Sequence, residues 1–191
     1  MIRVGSSKRK HKRHRSTDLS SSNNSVAIIG GWVEAAGNIV AAIGDTPTER
    51  IPETIKTDLR LIGNVLQAVG SALTADNEPL SIDVLGDILQ SAGNVTVVMG
   101  ILDNDESSSQ RLETIGNELQ LVGAGVSINT QANLTFSQSL DNVGNIIQVI
   151  GNTLQVYANP HTEEGIRVNA IGSWTQAVGT VISALAADYN D

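Results

Sequence analysis

The sequence predicts an all-α fold of six antiparallel up-and-down helices, packed as a bundle or as a layered helical array. Three observations support this prediction. The 191-residue chain contains six copies of one motif, each copy carries glycines seven residues apart (Gly-x6-Gly), and the apolar residues are spaced for one face of a helix. A β-solenoid is the alternative, because Val, Ile, Gly and Asn are also common in that fold.

The copies follow one another along the chain and are separated by short polar segments. In order they read IGGWVEAAGNIVAAIG from Ile29, IGNVLQAVGSALTA from Ile62, LGDILQSAGNVTVVMG from Leu85, IGNELQLVGAGVSI from Ile115, VGNIIQVIGNTLQVYA from Val143 and IGSWTQAVGTVISALA from Ile171. A unit that recurs at this spacing is typical of a repeat architecture.

The second copy shows why each unit is predicted to be a helix. Its apolar residues occupy the i, i+3, i+4, i+7 and i+11 positions of one helix face, and the fifth copy repeats these offsets. Three residue pairs match the capping-box pattern of a helix start: Thr46 with Glu49, Ser107 with Gln110, and Thr135 with Gln138. We therefore expect six helices of about 18 to 24 residues, each roughly 30 Å long.

A helical wheel of the second copy separates three rows. Ile62, Val65 and Leu66 form an apolar row that we assign to the core, Gly63 belongs to a glycine row at its border, and Gln67 belongs to an amide row beside the glycines. Glycine inside a helix costs about 1 kcal/mol relative to alanine, so a glycine row in every copy indicates close approach of a neighbouring helix. The amide row either bonds across these contacts or faces solvent. The predicted helix-packing seam consists of Gly37, Gly63, Gly70, Gly86, Gly93, Gly116, Gly123, Gly144, Gly151, Gly172 and Gly179.

Positive charge is concentrated at the N-terminus. Residues 1–15 contain seven Lys and Arg residues and no acid, whereas the rest of the chain has five basic and twenty acidic residues. We divide the chain into a basic low-complexity arm (1–25), which is disordered alone or ordered by a partner, and a helical repeat domain (26–191). The arm is expected to contact an acidic neighbouring subunit or a polyanion such as nucleic acid through Lys8, Arg9, Lys10, Lys12, Arg13 and Arg15.

The composition argues against several kinds of chemistry. The chain has no cysteine, which excludes disulfides and thiolate metal ligands, and it has no zinc-protease, dinucleotide or P-loop motif. The acidic run from Asp103 to Glu106 lacks the ligand spacing and the glycine of an EF-hand loop. We therefore expect no enzyme activity, no cofactor, no metal site and no small-molecule substrate.

The segment from Ser25 to Gly44 is apolar enough to be compared with a signal peptide or a membrane span. A mostly polar stretch (16–25) separates it from the basic run, and Glu34 and Asn38 lie near its middle. Because it is also the first copy of the repeat, we interpret it as a repeat helix and expect no membrane contact.

The copies WTQAVGTVISALA and IGNVLQAVG resemble those of the uncharacterised glycine-heptad repetitive proteins of Bacillus-type spore formers. The resemblance covers nearly all of residues 26–187 and implies no activity that can be assigned to a residue. The basic arm is similar in composition to basic tracts of spore-coat proteins. The resemblance therefore implies a location on the spore or cell surface, with the cytoplasm as the alternative.

The function expected from these features is structural. We expect a non-enzymatic subunit that assembles with itself, as a homo-oligomer or filament, into a fibre, layer or coat through its glycine-seamed helices. Two alternatives from other classes stay open: a membrane-active helical protein of the holin or toxin type, and a soluble scaffold whose basic arm binds nucleic acid.

Overall fold

The computed structural model describes residues 7–76 and 81–189, with the backbone alone for residues 7–24 and 83. The described residues form helices and no strand, so the all-α prediction is confirmed. The helices are α1 (Ser7–Asp45), α2 (Glu53–Ala75), α3 (Ile82–Ile101), α4 (Glu106–Val126), α5 (Phe136–Tyr157) and α6 (Glu163–Asp188).

α1 begins inside the basic arm rather than after residue 25, where we placed the start of the helical domain. The backbone is helical from Ser7 because Lys and Arg are good helix formers and residues 6–29 contain neither Gly nor Pro. The contact of the arm with a partner stays a prediction, because its residues lie outside the described side chains: Lys8, Arg9, Lys10, Lys12, Arg13 and Arg15.

One of the three predicted capping boxes is confirmed. Thr135 and Gln138 form a complete box at the start of α5. α4 instead begins after Asp105, whose carboxylate accepts a hydrogen bond from a backbone N–H of the first turn, so Ser107 lies inside the helix. Thr46 follows the end of α1, where its hydroxyl donates to a carbonyl of the last turn, and it caps no helix start.

The six helices form a closed ring of three antiparallel hairpins. α1 packs against α2, α3 against α4 and α5 against α6, and the hairpins join through contacts of α2 with α3, α4 with α5 and α6 with α1. Within the described part of the chain, no helix backbone packs against one on the opposite side of the ring. The antiparallel bundle that we predicted is therefore arranged around a central axis.

The seam glycines bring the two helices of each hairpin into backbone contact. A methyl group added at Gly37 would lie 2.6 Å from the carbonyl oxygen of Gly63, and one added at Gly63 would lie 2.5 Å from the backbone nitrogen of Ala41. Only glycine permits this helix spacing, because any side chain would overlap the facing backbone. A methyl group at either member would lie 2.6–2.9 Å from the carbonyl oxygen of the other in Gly30–Gly70, Gly37–Gly63, Gly86–Gly123, Gly93–Gly116, Gly144–Gly179 and Gly151–Gly172.

The apolar rows do not form the core, and that prediction is wrong. Ile62, Val65 and Val69 of α2 are 51%, 44% and 47% exposed, whereas Gln67 and Ser71 of the same helix are buried. The seam explains this reversal. Because the glycine row faces the neighbouring helix along the ring, the amide row beside it turns toward the axis and the apolar row turns outward.

Gly63→Ala is expected to destabilise the protein although alanine is the better helix former. The new methyl group would lie 2.5 Å from the backbone nitrogen of Ala41 and would push α1 and α2 apart. Gly125→Ala is the matched control, since nothing lies within 4 Å of its added Cβ and the change should stabilise α4 by about 1 kcal/mol. Thermal unfolding followed by circular dichroism measures both variants. Equal stability of the two would contradict the close contact.

Candidate functional site

The interior of the ring is polar. Among the described residues, the buried apolar side chains are alanines together with Val84 and Val97. Side chains from all six helices line a central cavity of about 30 Å³, which has room for a water molecule. The buried polar side chains include Glu34, Asn38, Asn64, Gln67, Ser71, Gln90, Asn94, Gln120, Asn145, Gln148, Asn152, Ser173, Gln176 and Thr180.

Glutamine side chains connect helices through the interior of the ring. The amide nitrogen of Gln176 in α6 donates a hydrogen bond of 2.6 Å to Oε1 of Gln120 in α4, although α4 and α6 are not neighbours in the ring. Oε1 of Gln176 in turn accepts a hydrogen bond of 2.9 Å from Gln155 in α5. These members of the amide row therefore bond inside the ring rather than face solvent.

A cluster of ion pairs lies at one end of the axis, which we call the ion-pair end. Nε of Arg60 in α2 lies 2.9 Å from Oδ1 of Asp45 in α1, and the guanidinium also pairs with Glu113 of α4. α2 and α4 are separated by α3 in the ring, so the pair between Arg60 and Glu113 joins two helices that are not neighbours through the interior. The cluster lies between the central cavity and a second cavity of about 740 Å³ at this end, because its residues line both.

The opposite end of the axis holds a cavity of about 490 Å³, which we call the acidic chamber. It is lined by α1, by the starts of α3 and α5, and by the ends of α2, α4 and α6. Its carboxylates belong to Glu34, Asp87 and Asp141, and no described Lys, Arg or His side chain lines it. Asp141 accepts a hydrogen bond of 3.1 Å from Asn145, and Glu34 is hydrogen-bonded to Ser71.

Several buried polar atoms of the interior have no hydrogen-bond partner in the described part of the protein. They are Oδ1 of Asn94, Oε1 of Gln148, both side-chain polar atoms of Asn152, and Oγ of Ser183. Gln148 and Ser183 line the acidic chamber. Because buried polar groups in folded proteins are generally satisfied, these atoms indicate that the interior takes up water or another polar ligand.

The outer surface of the ring is apolar over most of its height. Its exposed side chains include Ile39, Ile62, Ile88, Val95, Ile146, Ile150, Ile171 and Val178. Three helical segments of the described chain are long and apolar enough to cross a membrane, namely Ser25–Asp45, Val84–Ile101 and Glu163–Asp188. Exposed charged side chains occur in the first two turns of three helices, at Asp58, Arg111 and Arg167, and α4 also exposes Glu118 further along the helix.

The acidic run from Asp103 to Glu106 contains the N-cap of α4. Asp105 accepts a hydrogen bond of 2.8 Å from the backbone of Ser108, and Asp103 accepts one of 3.0 Å from the backbone of Asp105. Hydrogen bonds, first from the side chain of Ser108 and then from backbone N–H groups, lower the pKa of Asp103. Within the described residues, no three His, Cys, Asp or Glu side chains are close enough together to hold a metal. The absence of enzyme activity stays a prediction.

The charged residues of the interior were not predicted, although the repeat carried a signal for them. Glu34 stands where the other copies have Gln. Arg60, Glu113 and Asp141 each stand two residues before their copy begins, so they occupy equivalent positions on three helices. The periodicity of one helix does not tell which positions meet across a ring, and the cluster was therefore not predicted.

A protein-family model matches residues 25–184 of the chain. The family is described as a family of unknown function (DUF6944). No curated protein and no solved structure matches the chain. The matched region begins at the end of the basic arm and takes in nearly all of the six copies.

Gln176→Leu is expected to lower the free energy of unfolding by about 1–3 kcal/mol, because it leaves the amides of Gln120 and Gln155 without their partner inside the ring. Gln131→Leu is the control, since this exposed loop position should change stability by less than about 0.5 kcal/mol. Chemical denaturation followed by circular dichroism compares the two. If the Gln176→Leu protein is as stable as the control, the hydrogen bonds of Gln176 with Gln120 and Gln155 contribute nothing to the free energy of unfolding.

Proposed function

We propose that this chain, which belongs to the DUF6944 family of unknown function, is a non-enzymatic membrane protein whose six-helix ring offers a polar path for water and small polar solutes. The observation that carries the proposal is the reversed polarity of the ring. Asn and Gln side chains fill the interior, and Ile, Val and Leu side chains cover the outside. A ring surrounded by water would be expected to bury its large aliphatic side chains, because their removal from water drives folding.

A lipid environment accounts for both halves of this arrangement. Contiguous apolar patches above a few hundred Å² are uncommon on soluble monomers, whereas hydrocarbon chains favour such a surface. Polar side chains within a bilayer face the interior of a bundle or a water-filled cavity. Our expectation of no membrane contact relied on the repeat, on the polar stretch 16–25 and on Glu34 and Asn38, and both of these side chains are buried. Their polarity is therefore no argument against lipid around the ring.

The lengths of the helices also support the proposal. α3 is the shortest of the six and has 20 residues, which corresponds to about 30 Å of helix. The hydrocarbon core of a typical bilayer is about 30 Å thick. Each hairpin is therefore long enough to cross the bilayer twice, and the polar segments between helices fall at its two surfaces.

The five aromatic residues form two groups at different levels of the ring, and Trp174 lies at the middle of α6 rather than near an end of that helix. At the end with the acidic chamber, Phe136 and Tyr189 pack edge to face with ring centroids 5.2 Å apart, and the indole N–H of Trp32 donates to a carboxylate at the end of α6. Near the ion-pair end, the indole N–H of Trp174 donates to a hydroxyl just after α1, and Tyr157 is the last residue of α5. Aromatic residues at two such levels are typical of proteins that span a membrane.

The glycine seams suit a helical protein in lipid. Aliphatic side chains gain little by leaving hydrocarbon, so helices in a bilayer associate mainly through close packing and hydrogen bonds, with small residues at their contacts. The backbone contacts between Gly37 and Gly63 and between the other seam glycines supply such packing. The seam that we predicted from the sequence is thus compatible with both water and lipid around the ring. The role of the apolar rows depends on which of the two surrounds the protein.

A structural role in a self-assembling fibre, layer or coat is the second candidate. Arg111 and Glu118 on the outer face of α4 favour it, because exposed charges suit water or another subunit better than hydrocarbon. In such an assembly, the apolar outer faces would be covered by other copies. The basic arm serves both candidates, as a contact with anionic lipid headgroups or with acidic neighbours. A nucleic-acid contact of the arm and a spore or cell-surface location remain proposals of the same kind.

Ile146→Lys tests which solvent surrounds the ring. Ile146 lies at the middle of the outer face of α5 and is 46% exposed. If that face contacts lipid, a lysine there should cost about 2.5–3.5 kcal/mol of insertion and lower the membrane-bound fraction of the protein. The fraction is measured by separating membranes from soluble protein after expression. Asn133→Lys adds the same charge in an exposed loop and should leave the fraction unchanged.

If Ile146→Lys is neutral, and the unmodified protein forms fibres or layers in the absence of detergent, the membrane proposal fails and the structural role stands. Electron microscopy of the purified protein provides the second observation. A protein that stays monomeric without detergent would contradict both roles.

Release of a small polar dye from liposomes that contain the purified protein tests the path itself. Arg60→Gln should raise the rate several-fold, because it removes both ion pairs that separate the central cavity from the cavity at the ion-pair end. The matched control is Arg167→Gln, whose partner Glu163 lies on the same helix and away from the axis. Liposomes that retain the dye with all three proteins would contradict a path through the ring.

A further inference from the structure

We infer that the acidic chamber is a binding site for monovalent cations and that it makes the ring prefer cations to anions. The preference rests on the proposed path across the membrane, whereas the binding site does not depend on that path. The inference combines the charge of the chamber, an unpartnered oxygen in its wall, and its size.

The described titratable side chains that line the chamber are acidic, apart from Tyr189. Glu34, Asp87 and Asp141 line it, and no described basic side chain does. Burial, together with the nearby charge of Asp141, raises the pKa of Glu34 to about 7, so this side chain is only partly ionised at neutral pH. At neutral pH the full negative charge of the chamber comes from Asp87 and Asp141, and a cation held there also favours the ionised form of Glu34. Anions are excluded by the same field.

An unpartnered oxygen in the wall of the chamber points to a ligand independently of the charge. Oε1 of Gln148 has no hydrogen-bond partner in the described protein, and the residue is only 2% exposed. Its amide nitrogen donates to Asn145, so the oxygen is the atom left for a ligand. Amide and carboxylate oxygens are the ligands that alkali and other hard cations prefer. The oxygen is therefore a further acceptor in the chamber, in addition to the three carboxyl groups.

The size of the chamber favours a hydrated monovalent ion. Its volume of about 490 Å³ holds an ion with several water molecules, since one water occupies about 30 Å³ in the liquid. No three acidic or histidine side chains of the described chain converge closely enough to chelate a metal. The carboxylates therefore act through their field and through ordered water, which suits K⁺ or Na⁺ better than a tightly coordinated divalent ion.

The first test measures binding by the full-length protein in detergent. Its thermal unfolding is compared in KCl and in N-methylglucamine chloride of the same ionic strength, since the bulky organic cation lacks the compact charge of K⁺. We expect a higher unfolding temperature in KCl. The double variant Asp87→Asn with Asp141→Asn should lose this difference, because it removes two of the three carboxylates. The control is Asp58→Asn, which removes an exposed carboxylate of α2 outside the chamber. This variant should keep the higher unfolding temperature in KCl.

The second test measures the reversal potential of the unmodified protein and the double variant in planar bilayers under a KCl gradient. With the unmodified protein, we expect the reversal potential to lie close to the K⁺ equilibrium potential. With the double variant, we expect the ratio of K⁺ to Cl⁻ permeability to be several-fold lower. Stabilisation by KCl without any conductance would support the site and contradict the path. Conductance without stabilisation or selectivity would support the path and overturn the site. Stabilisation that the double variant retains would also overturn the site.

Discussion

The backbone contact between paired glycines determines which way every helix of the ring faces. Gly37 and Gly63 approach so closely that neither can carry a side chain, and this contact fixes the rotation of α1 against α2. Once the glycine row points along the ring, the two neighbouring rows have only two directions left, toward the axis and away from it. That rotation accounts for the polar interior and the apolar outer surface of the ring. It also accounts for the hydrogen bonds between amide side chains in the interior.

The interior is held together by packing and hydrogen bonds, since it contains almost no large aliphatic side chain. Buried amides are demanding partners, because each must find a donor or acceptor in a place that excludes most water. Gln176 meets this demand with two bonds to two different helices. Such a network favours one register of the helices over others. A shift of one helix by one turn would break these hydrogen bonds and would at the same time separate the paired glycines.

The helices and the seam could be predicted from the sequence because both depend on local periodicity. The spacing of Ile62, Val65 and Leu66 predicts a helix, and glycines seven residues apart predict a row on its surface. The direction of the apolar row could not be predicted, because assigning it to the core assumes that water surrounds the protein. The meeting of Arg60 with Glu113 could not be predicted either, since it depends on ring closure and joins helices far apart in the chain.

The glycine seams all lie within hairpins, and none joins one hairpin to the next. The hairpin is therefore the building block, and the ring is a threefold repetition of it with an approximate rotational symmetry. In such a design the width of the interior depends on the number of blocks. Gain or loss of a hairpin by gene duplication or deletion would widen or narrow the interior in steps of two helices and leave the internal geometry of each block intact.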